Sequence, residues 1–256
     1  MDRLLLVDAD ILCWRAATST PDLRSARKRL EALLQELTYA LNADRMTLAI
    51  SDRENWRRKI FPDYKSHRKA KKRPENLPRL FEYLAEHCDL RRAPGLEADD
   101  ILGLLATGEP IGGPLPQTAE KIVVSPDKDL RTIPGLLARG LRQIERISHR
   151  RAEQMHLRQC LVGDSADGYK GCPRVGEKTA DQFFRDPFEW VRRGKNWVRR
   201  PSRRIWDGVV SLYAKAGLDE TAALTQARVA RILRAGEYDI ETGVPRLWRP
   251  SQILHH

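Results

Sequence analysis

Three short apolar runs, each followed closely by an acid, constrain the fold of this chain more than any other feature. They occupy residues 4–7, 46–50 and 121–124. The acids that follow them are Asp8, Asp52 and Asp127. Such runs are typical of strands buried on both faces of a sheet, and segments with helical leucine spacing separate them. Because parallel neighbours need crossover helices, the pattern predicts an α/β fold with a mostly parallel central sheet.

Strand signals fade after about residue 148, and the rest of the chain is basic with helical spacing. We predict helices in this region over residues 151–162, 178–184, 188–198, 203–216 and 218–233. The sequence therefore predicts two consecutive parts, an α/β core over residues 1–147 and a helical region over residues 148–256. In open parallel sheets ligands bind at the carboxyl ends of the strands, so the three acids named above are expected to converge there.

Nine acids at the ends of predicted elements form the candidate site. They are Asp8, Asp52, Glu97, Asp99, Asp100, Asp127, Asp129, Asp164 and Asp167. Taken singly, each has an ordinary explanation as a helix cap or turn former. Together they would repel one another unless cations neutralised them, and Mg²⁺ prefers oxygen ligands of this kind. Two such ions can activate water and stabilise the leaving oxygen of a phosphodiester, so the set predicts a two-metal site.

Charge narrows the choice of partner. Lys and Arg total 46 against 35 acids, which gives a formal charge of +11. This balance favours a polyanion, and nucleic acid more than a membrane, because no run of about 18 apolar residues is present. The first apolar run is too short for a signal peptide, so we expect a cytoplasmic protein of a bacterium or phage-infected cell. The widely spaced Cys13, Cys88, Cys160 and Cys172 suggest reduced thiols that pack in the interior.

Five motifs in order resemble the flap endonuclease and 5′-3′ exonuclease family of structure-specific 5′ nucleases. They are VDAD, SD followed by WRRKIFPDYKSHR, then GLEADD, VVSPDKDL and LVGDSADGYKGCPRVGEKTA, which together cover about residues 3–185. By size the chain looks most like the short phage 5′-3′ exonucleases. The resemblance implies a PIN-like α/β nuclease core, a helical arch at about residues 56–90, and a helix-hairpin-helix variant at about residues 163–185 in the helical region.

The resemblance also implies roles for individual residues. A first metal ion would be held by Asp8, Asp52, Glu97, Asp99 and Asp100. A second would be held by Asp127, Asp129, Asp164 and Asp167. Phosphate near the scissile bond would be contacted by Lys65, Arg68 and Arg57 or its neighbour Arg58. Further DNA contacts would come from the arch residues Tyr64, Lys69, Lys71, Lys72 and Arg73, and from the hairpin residues Gly171, Arg174, Gly176, Lys178 and Thr179.

Four positions depart from the family pattern. Pro126 stands where a glycine usually precedes the acids of the fourth motif, and Gly168-Tyr169 replaces the common Asn-Ile. Arg174 stands where the hairpin usually has glycine, and its side chain adds a charge that suits phosphate. None of these changes removes a carboxylate.

The expected function is Mg²⁺-dependent hydrolysis of DNA near 5′ ends, giving 5′-phosphate products. Mn²⁺ is expected to substitute for Mg²⁺, and K⁺ is a candidate ligand of the hairpin loop. The expected partner is DNA, as a duplex with a 5′ end, a flap or a gap; an RNA–DNA hybrid is a further candidate, and a monomer is favoured. Two alternatives stay open: a PIN-type ribonuclease, and a noncatalytic protein that binds DNA junctions.

Overall fold

A computed structural model describes residues 2–67, 73–115 and 120–250 of the chain. Two compact units alternate along the sequence. The first comprises residues 1–56, 70–152 and 232–246, and the second comprises residues 57–69, 153–231 and 247–256. The sequence-based division at residue 147 treated the two parts as consecutive. Residues 232–246 instead return to the first unit, because the Leu233 N–H donates to Asp100 and the Arg234 guanidinium donates to the Thr132 carbonyl.

The elements follow one another along the chain as a mixture of strands and helices. The first half contains β1 (Arg3–Asp8), α1 (Ala9–Thr18), α2 (Leu23–Ala40), β2 (Arg45–Ala49), α3 (Arg57–Ile60), α4 (Leu77–His87), β3 (Leu90–Arg91), α5 (Ala98–Thr107) and β4 (Glu120–Val124). The second half contains a 3-10 helix (Lys128–Thr132), β5 (Gly135–Ala138), β6 (Ile144–Ile147), α6 (His149–Val162), α7 (Glu177–Arg185), β7 (Phe188–Arg193), β8 (Asn196–Pro201), α8 (Ile205–Lys215), α9 (Glu220–Ala230), β9 (Tyr238–Asp239) and β10 (Val244–Pro245).

The central sheet of the first unit runs in the order β3-β2-β1-β4-β5-β6. All neighbours are parallel except β5 and β6. Leu5 of β1 lies opposite Met46 of β2 on one side and Ile122 of β4 on the other. The predicted α/β fold with a mostly parallel sheet is therefore confirmed. The short strands β3, β5 and β6 were not predicted, because a strand of two to four residues leaves little periodicity to detect.

Helices cover both faces of this sheet. Alternate β1 side chains point to opposite faces. Leu5 and Val7 belong to a core cluster with α1, α2 and α4, in which Leu30 and Leu80 are fully buried. On the opposite face, α5 packs against β1 through a fully buried run around Ile101. Because β1 is covered on both faces and paired on both edges, the residues at its carboxyl end have little freedom to move.

The second unit is less helical than predicted. The helix expected over residues 188–198 is wrong, since β7 and β8 form an antiparallel hairpin there. Gly194 at the turn has a φ of +61°, and Phe188 is buried among the aromatic side chains of the unit. Alternating aromatic and β-branched residues around a Gly-containing two-residue turn favour a hairpin, and this signal outweighs helical spacing. The other four helices predicted after residue 148 are present.

Two further features concern membrane-spanning helices and the cysteines. No helix in the described ranges is both long and apolar enough to pass through a membrane. All four cysteines are free thiols, and Cys13, Cys160 and Cys172 are buried. The expectation that the cysteines serve as packing groups agrees with this arrangement.

One histidine in the second unit is fully buried. The His156 ring has no exposed surface, and its Nε2 lies 2.7 Å from the carbonyl oxygen of Ala227. The edge of the ring packs against Trp248 with centroids 5.1 Å apart. Burial lowers the pKa of His156 below its ordinary value of 6.5, because the charged ring would lose its hydration. The folded unit therefore resists protonation at a site that the unfolded chain protonates readily.

We predict that stability falls with decreasing pH below about 6.5, by at most about 1.4 kcal/mol per pH unit from this site. The contribution is fully present above the pKa of the unfolded state and is lost as the pH falls towards the lower pKa of the folded state. His156→Gln should make this slope shallower in urea unfolding followed by circular dichroism. His149→Gln, at an exposed position, is the matched control. An unchanged slope in His156→Gln would contradict the prediction.

Candidate functional site

Asp8 occupies the carboxyl end of the central strand β1. Its side chain is 5% exposed. One oxygen accepts the Ile11 N–H at 3.3 Å, which caps α1, and the other accepts the Ser125 hydroxyl at 3.2 Å. Burial, reinforced by the carboxylates of Asp10 and Asp127, raises the pKa of Asp8 to about 7. The strand end thus holds a carboxylate whose negative charge is strongly opposed by its surroundings.

Asp10 is a residue that the sequence reasoning missed. It lies in the first turn of α1, and its carboxylate accepts the Ser51 N–H at 3.0 Å. Ser51 in turn accepts the Ala98 N–H on its hydroxyl oxygen at 3.0 Å. Burial, with a further contribution from Glu97, raises the pKa of Asp10. The only signal in the sequence was the second acid of VDAD, whose position in a first helical turn has an ordinary explanation.

These two hydrogen bonds, linked through Ser51, cross the carboxyl edge of the sheet, and we call them the relay. Asp10 follows β1, Ser51 follows β2, and Ala98 is the first residue of α5, which carries Glu97 at its N-cap. The relay therefore sets where the acidic first turn of α5 lies relative to β1. We define Asp8, Asp10, Glu97 and Asp127 as the edge acids, because each acts electrostatically on another member.

Two of the predicted metal ligands have other partners. Asp52 accepts the Gly95 N–H at 2.9 Å and pairs with Arg92 at 2.6 Å. Although partial burial opposes it, these donors lower the pKa of Asp52. Asp100 is fully buried and accepts the Trp56 indole N–H on one oxygen and the Leu233 N–H on the other. The geometry therefore supports structural roles for both residues, anchoring a loop and the start of α5.

The remaining predicted acids of the first unit lie in the first turn of α5 and at the start of the 3-10 helix that follows β4. Asp99 is in the first turn of α5, half-buried. Asp127 caps the 3-10 helix by accepting the Asp129 N–H at 2.8 Å. In the described ranges, no three His, Cys, Asp or Glu side chains already form a compact metal-binding group. The donors gathered at the edge are carboxylate and hydroxyl oxygens, the type that Mg²⁺ accepts and zinc sites rarely use alone.

The two predicted acids of the second unit, Asp164 and Asp167, are held in a loop by local hydrogen bonds. One Asp164 oxygen accepts the N–H groups of Ala166 and Asp167 at 2.7 and 3.1 Å. The Asp167 carboxylate accepts the Tyr64 hydroxyl at 2.9 Å and lies 3.5 Å from the Lys65 ammonium. The Lys65 N–H also donates to the Asp167 carbonyl at 2.9 Å. Two predicted site residues about a hundred positions apart, Lys65 and Asp167, are thereby brought together.

Some predicted phosphate contacts are not available for that role. Arg57 is 2% exposed, and its guanidinium donates to the carbonyls of Val229 and Arg231. Tyr64 is also 2% exposed, because its ring packs with Tyr169 and its hydroxyl is held by Asp167. These are corrections: both side chains hold the second unit together, and Arg58 is the exposed arginine beside them.

Among the other basic residues predicted to contact DNA from the arch, Arg73 alone lies in the described part of the chain. Arg68, Lys69, Lys71 and Lys72 lie outside the described residues. Arg73 is exposed, and its charge acts on Asp10 and lowers the pKa of that acid against the larger effect of burial. A basic residue from this segment therefore lies within electrostatic range of the edge acids.

The predicted hairpin loop adopts a tight turn before α7. An added Cβ at Gly171 would meet the Gly163 backbone nitrogen at 2.4 Å, so the two chain segments touch directly. Gly171 itself is buried, and its N–H donates to Gln226 at 2.8 Å, which corrects the expected phosphate contact. Arg174, Gly176 and Lys178 are exposed, and Thr179 is half-buried. Gly176 caps α7 without a side-chain hydrogen bond, so the first N–H groups of that helix point outwards.

Arg174 shows why glycine is usual at its position. Its φ is +64°, in the left-handed region that costs a residue with a Cβ about 1–2 kcal/mol. The turn therefore forms with Arg174 in a strained backbone conformation.

The motifs are matched by a family model and by curated relatives. Residues 3–151 match the model described as 5′-3′ exonuclease, N-terminal resolvase-like domain. The exonuclease of Escherichia phage T7 is 36% identical over 228 residues, covering 80% of this chain and 74% of the relative.

Solved structures share the fold. A bacteriophage T5 protein co-crystallised with metal ions superposes with a TM-score of 0.62 at 17% identity, over 89% of each chain. The T5 flap endonuclease in complex with DNA and metal ions gives a TM-score of 0.59 at 16% identity, over 89% of this chain and 93% of that one. At these identities the likeness concerns the fold alone.

We predict that Ser51→Ala lowers the free energy of unfolding by about 1–3 kcal/mol, because the buried Ala98 N–H loses its acceptor. Denaturant unfolding measures this loss. Ser51→Thr, which keeps the hydroxyl, should recover part of it. Ser66→Ala at an exposed position should change stability by less than about 0.5 kcal/mol. Equal effects of the two alanine variants would show that the relay contributes nothing.

We also predict that Arg174→Gly is more stable than Arg174→Ala by about 1 kcal/mol, because only glycine is unstrained at this positive φ. The two variants lose the same charge, so the comparison isolates the backbone. Thermal unfolding of both proteins provides the measurement, and identical midpoints would rule out strain at this position.

Proposed function

Since this chain belongs to the 5′-3′ exonuclease family of nucleases, we propose that it hydrolyses DNA phosphodiester bonds near 5′ ends with the help of Mg²⁺. The observation that carries the proposal is the group of edge acids where β1 and β4 end and α5 begins. The T5 relative was solved with DNA and metal ions, which is consistent with a divalent-metal DNA nuclease.

The proposed reaction uses water as the nucleophile. Water attacks phosphorus, the bond from phosphorus to the 3′ oxygen of the preceding nucleotide breaks, and that oxygen receives a proton. The products are a 5′-phosphate and a 3′-hydroxyl, and no covalent bond to the protein forms. Bound Mg²⁺ supplies activation of water and stabilisation of the leaving oxygen in sites of this type.

The edge acids fit such an ion chemically. Their donors are oxygens, their charges repel, and a bound cation would remove that repulsion. We propose Asp8, Glu97 and Asp99 as the principal ligands of a first ion. Asp127 and Asp129 are proposed for a second ion, and the addition of Asp164 and Asp167 to that set rests on the family resemblance. Asp52 and Asp100 are proposed to act indirectly, by holding the loop and helix that carry the others.

Lys65 is proposed to stabilise negative charge on the phosphate. Its ammonium lies 3.5 Å from Asp167, and its backbone is held by the same residue. A lysine fixed in this way needs little reorganisation when charge develops in the transition state. Asp167 would then act as a positioning residue for Lys65 as well as a candidate metal ligand.

The substrate class can be tested directly. Wild-type protein is incubated with Mg²⁺ and three substrates: DNA with a 5′ flap, duplex DNA with a recessed 5′ end, and single-stranded RNA. Cleavage of either DNA with 5′-phosphate products is expected. Degradation of RNA alone would replace the proposal by a ribonuclease, and binding of DNA without cleavage would replace it by a noncatalytic junction binder.

We predict that Asp8→Asn lowers the rate of Mg²⁺-dependent cleavage by about a hundredfold or more, because one carboxylate charge is lost from the ion's ligands. DNA affinity without divalent metal should not fall, since Asp8 is not among the phosphate contacts. Mn²⁺ titration followed by electron paramagnetic resonance should show weaker metal binding. Asp207→Asn, an exposed acid in the first turn of α8, is the matched control. A wild-type rate in Asp8→Asn would overturn the assignment.

A further inference from the structure

The β7–β8 hairpin concentrates positive charge beyond the residues that the family motifs identify. Residues 186–204 contain seven Lys or Arg against two acids. Three of the basic residues, Arg192, Arg193 and Lys195, lie at or beside the turn, and all three are exposed. We call these three residues the hairpin tip. A patch of this density on an exposed ribbon suits a polyanion.

The charges at the base of the hairpin are neutralised, whereas those of the tip are not. Arg199 pairs with Asp186 at 2.7 Å, and Arg200 pairs with Glu189 at 2.6 Å. Within the described part of the chain, no carboxylate lies within ion-pair distance of the tip residues. The base arginines therefore fix the ribbon, and the tip keeps its full charge towards solvent.

The base of the ribbon is anchored firmly in the second unit. Phe188 is 5% exposed and packs edge-on against Phe183 of α7 with centroids 5.5 Å apart. The backbone N–H of Trp190 donates to the Ser211 hydroxyl oxygen at 2.9 Å, and the Lys215 ammonium lies over the Trp190 ring. The tip is consequently presented on a rigid support, which limits the entropy lost when it binds a partner.

The hairpin also continues the basic surface of α7. A cleft of about 510 Å³ lies between them, lined by Lys178, Asp181, Gln182, Arg185, Asp186 and Arg199. Arg158 of α6 pairs with Asp181 and with Glu177, the first residue of α7. Since Arg158 neutralises both acids, Lys178 and Arg185 dominate the charge of the exposed face of α7.

We propose that the hairpin tip binds the sugar-phosphate backbone of duplex DNA, extending the contact that the family resemblance implies for Arg174, Gly176 and Lys178. The proposal rests on the proposed function, which supplies duplex DNA as the partner. A two-stranded ribbon fits the major groove of B-form DNA, and each six-residue strand spans about 20 Å. Duplexes long enough to reach past α7 therefore gain the tip contacts, and shorter ones do not.

The test compares Arg193→Gln/Lys195→Gln with the wild type on duplexes of about 10 and about 30 base pairs, one and three helical turns. For the long duplex, affinity should fall by about tenfold near 0.15 M salt, and the slope of log affinity against log salt should decrease by about 2. For the short duplex both should stay near wild type. The single-turnover cleavage rate at saturating DNA should not change.

Two controls separate the tip from general charge and from misfolding. Lys28→Gln/Arg29→Gln removes the same charge from an exposed face of α2 and should leave both affinities near wild type. Arg193→Lys keeps the charge and should bind as wild type. An unchanged melting temperature would confirm that the tip variant is folded.

Three results would overturn the proposal. They are equal losses in the tip and α2 variants, equal losses on short and long duplexes, and a tip-dependent affinity for anionic lipid vesicles without one for duplex. Each is distinct from failure of the proposed function, in which the wild-type protein cuts no DNA.

Discussion

Burial of the Asp8 carboxylate beside two other acids, at the end of the central strand, is the constraint on which the arrangement of this edge of the first unit depends. Asp8 is almost fully buried beside Asp10 and Asp127, and burial together with those charges raises its pKa to about 7. Among the described residues, hydrogen bonds from the Ile11 N–H and the Ser125 hydroxyl oppose this rise in pKa. A cation bound there would relieve a cost that packing alone leaves in place.

The acids around this edge divide into two kinds. Asp52 and Asp100 are satisfied by an arginine, an indole and backbone N–H groups, so they behave as structural ties. The edge acids are the second kind, because each lies within electrostatic range of another acid of the group. Asp10 belongs to both kinds, because it orients α5 through Ser51 while adding to the charge at the edge.

In the second unit, some basic side chains are held by carbonyls or carboxylates, and others remain exposed. Arg57, Arg158, Arg199 and Arg200 are tied to carbonyls or carboxylates and act as structural cations. Arg174 is exposed and has a strained backbone conformation with positive φ. Positive charge is therefore kept on the exposed loops and the hairpin, where long-range attraction to a polyanion is strongest.

The sequence by itself determined the α/β class, the strands β1, β2 and β4, and the acids at their ends, because buried parallel strands leave a continuous apolar signature. Motif order determined the family. Only the tertiary structure decided that Arg57 and Tyr64 are buried and that Asp10 joins the edge acids. These outcomes depend on partners distant in sequence, such as Val229 for Arg57, and local spacing carries no record of which distant groups will meet.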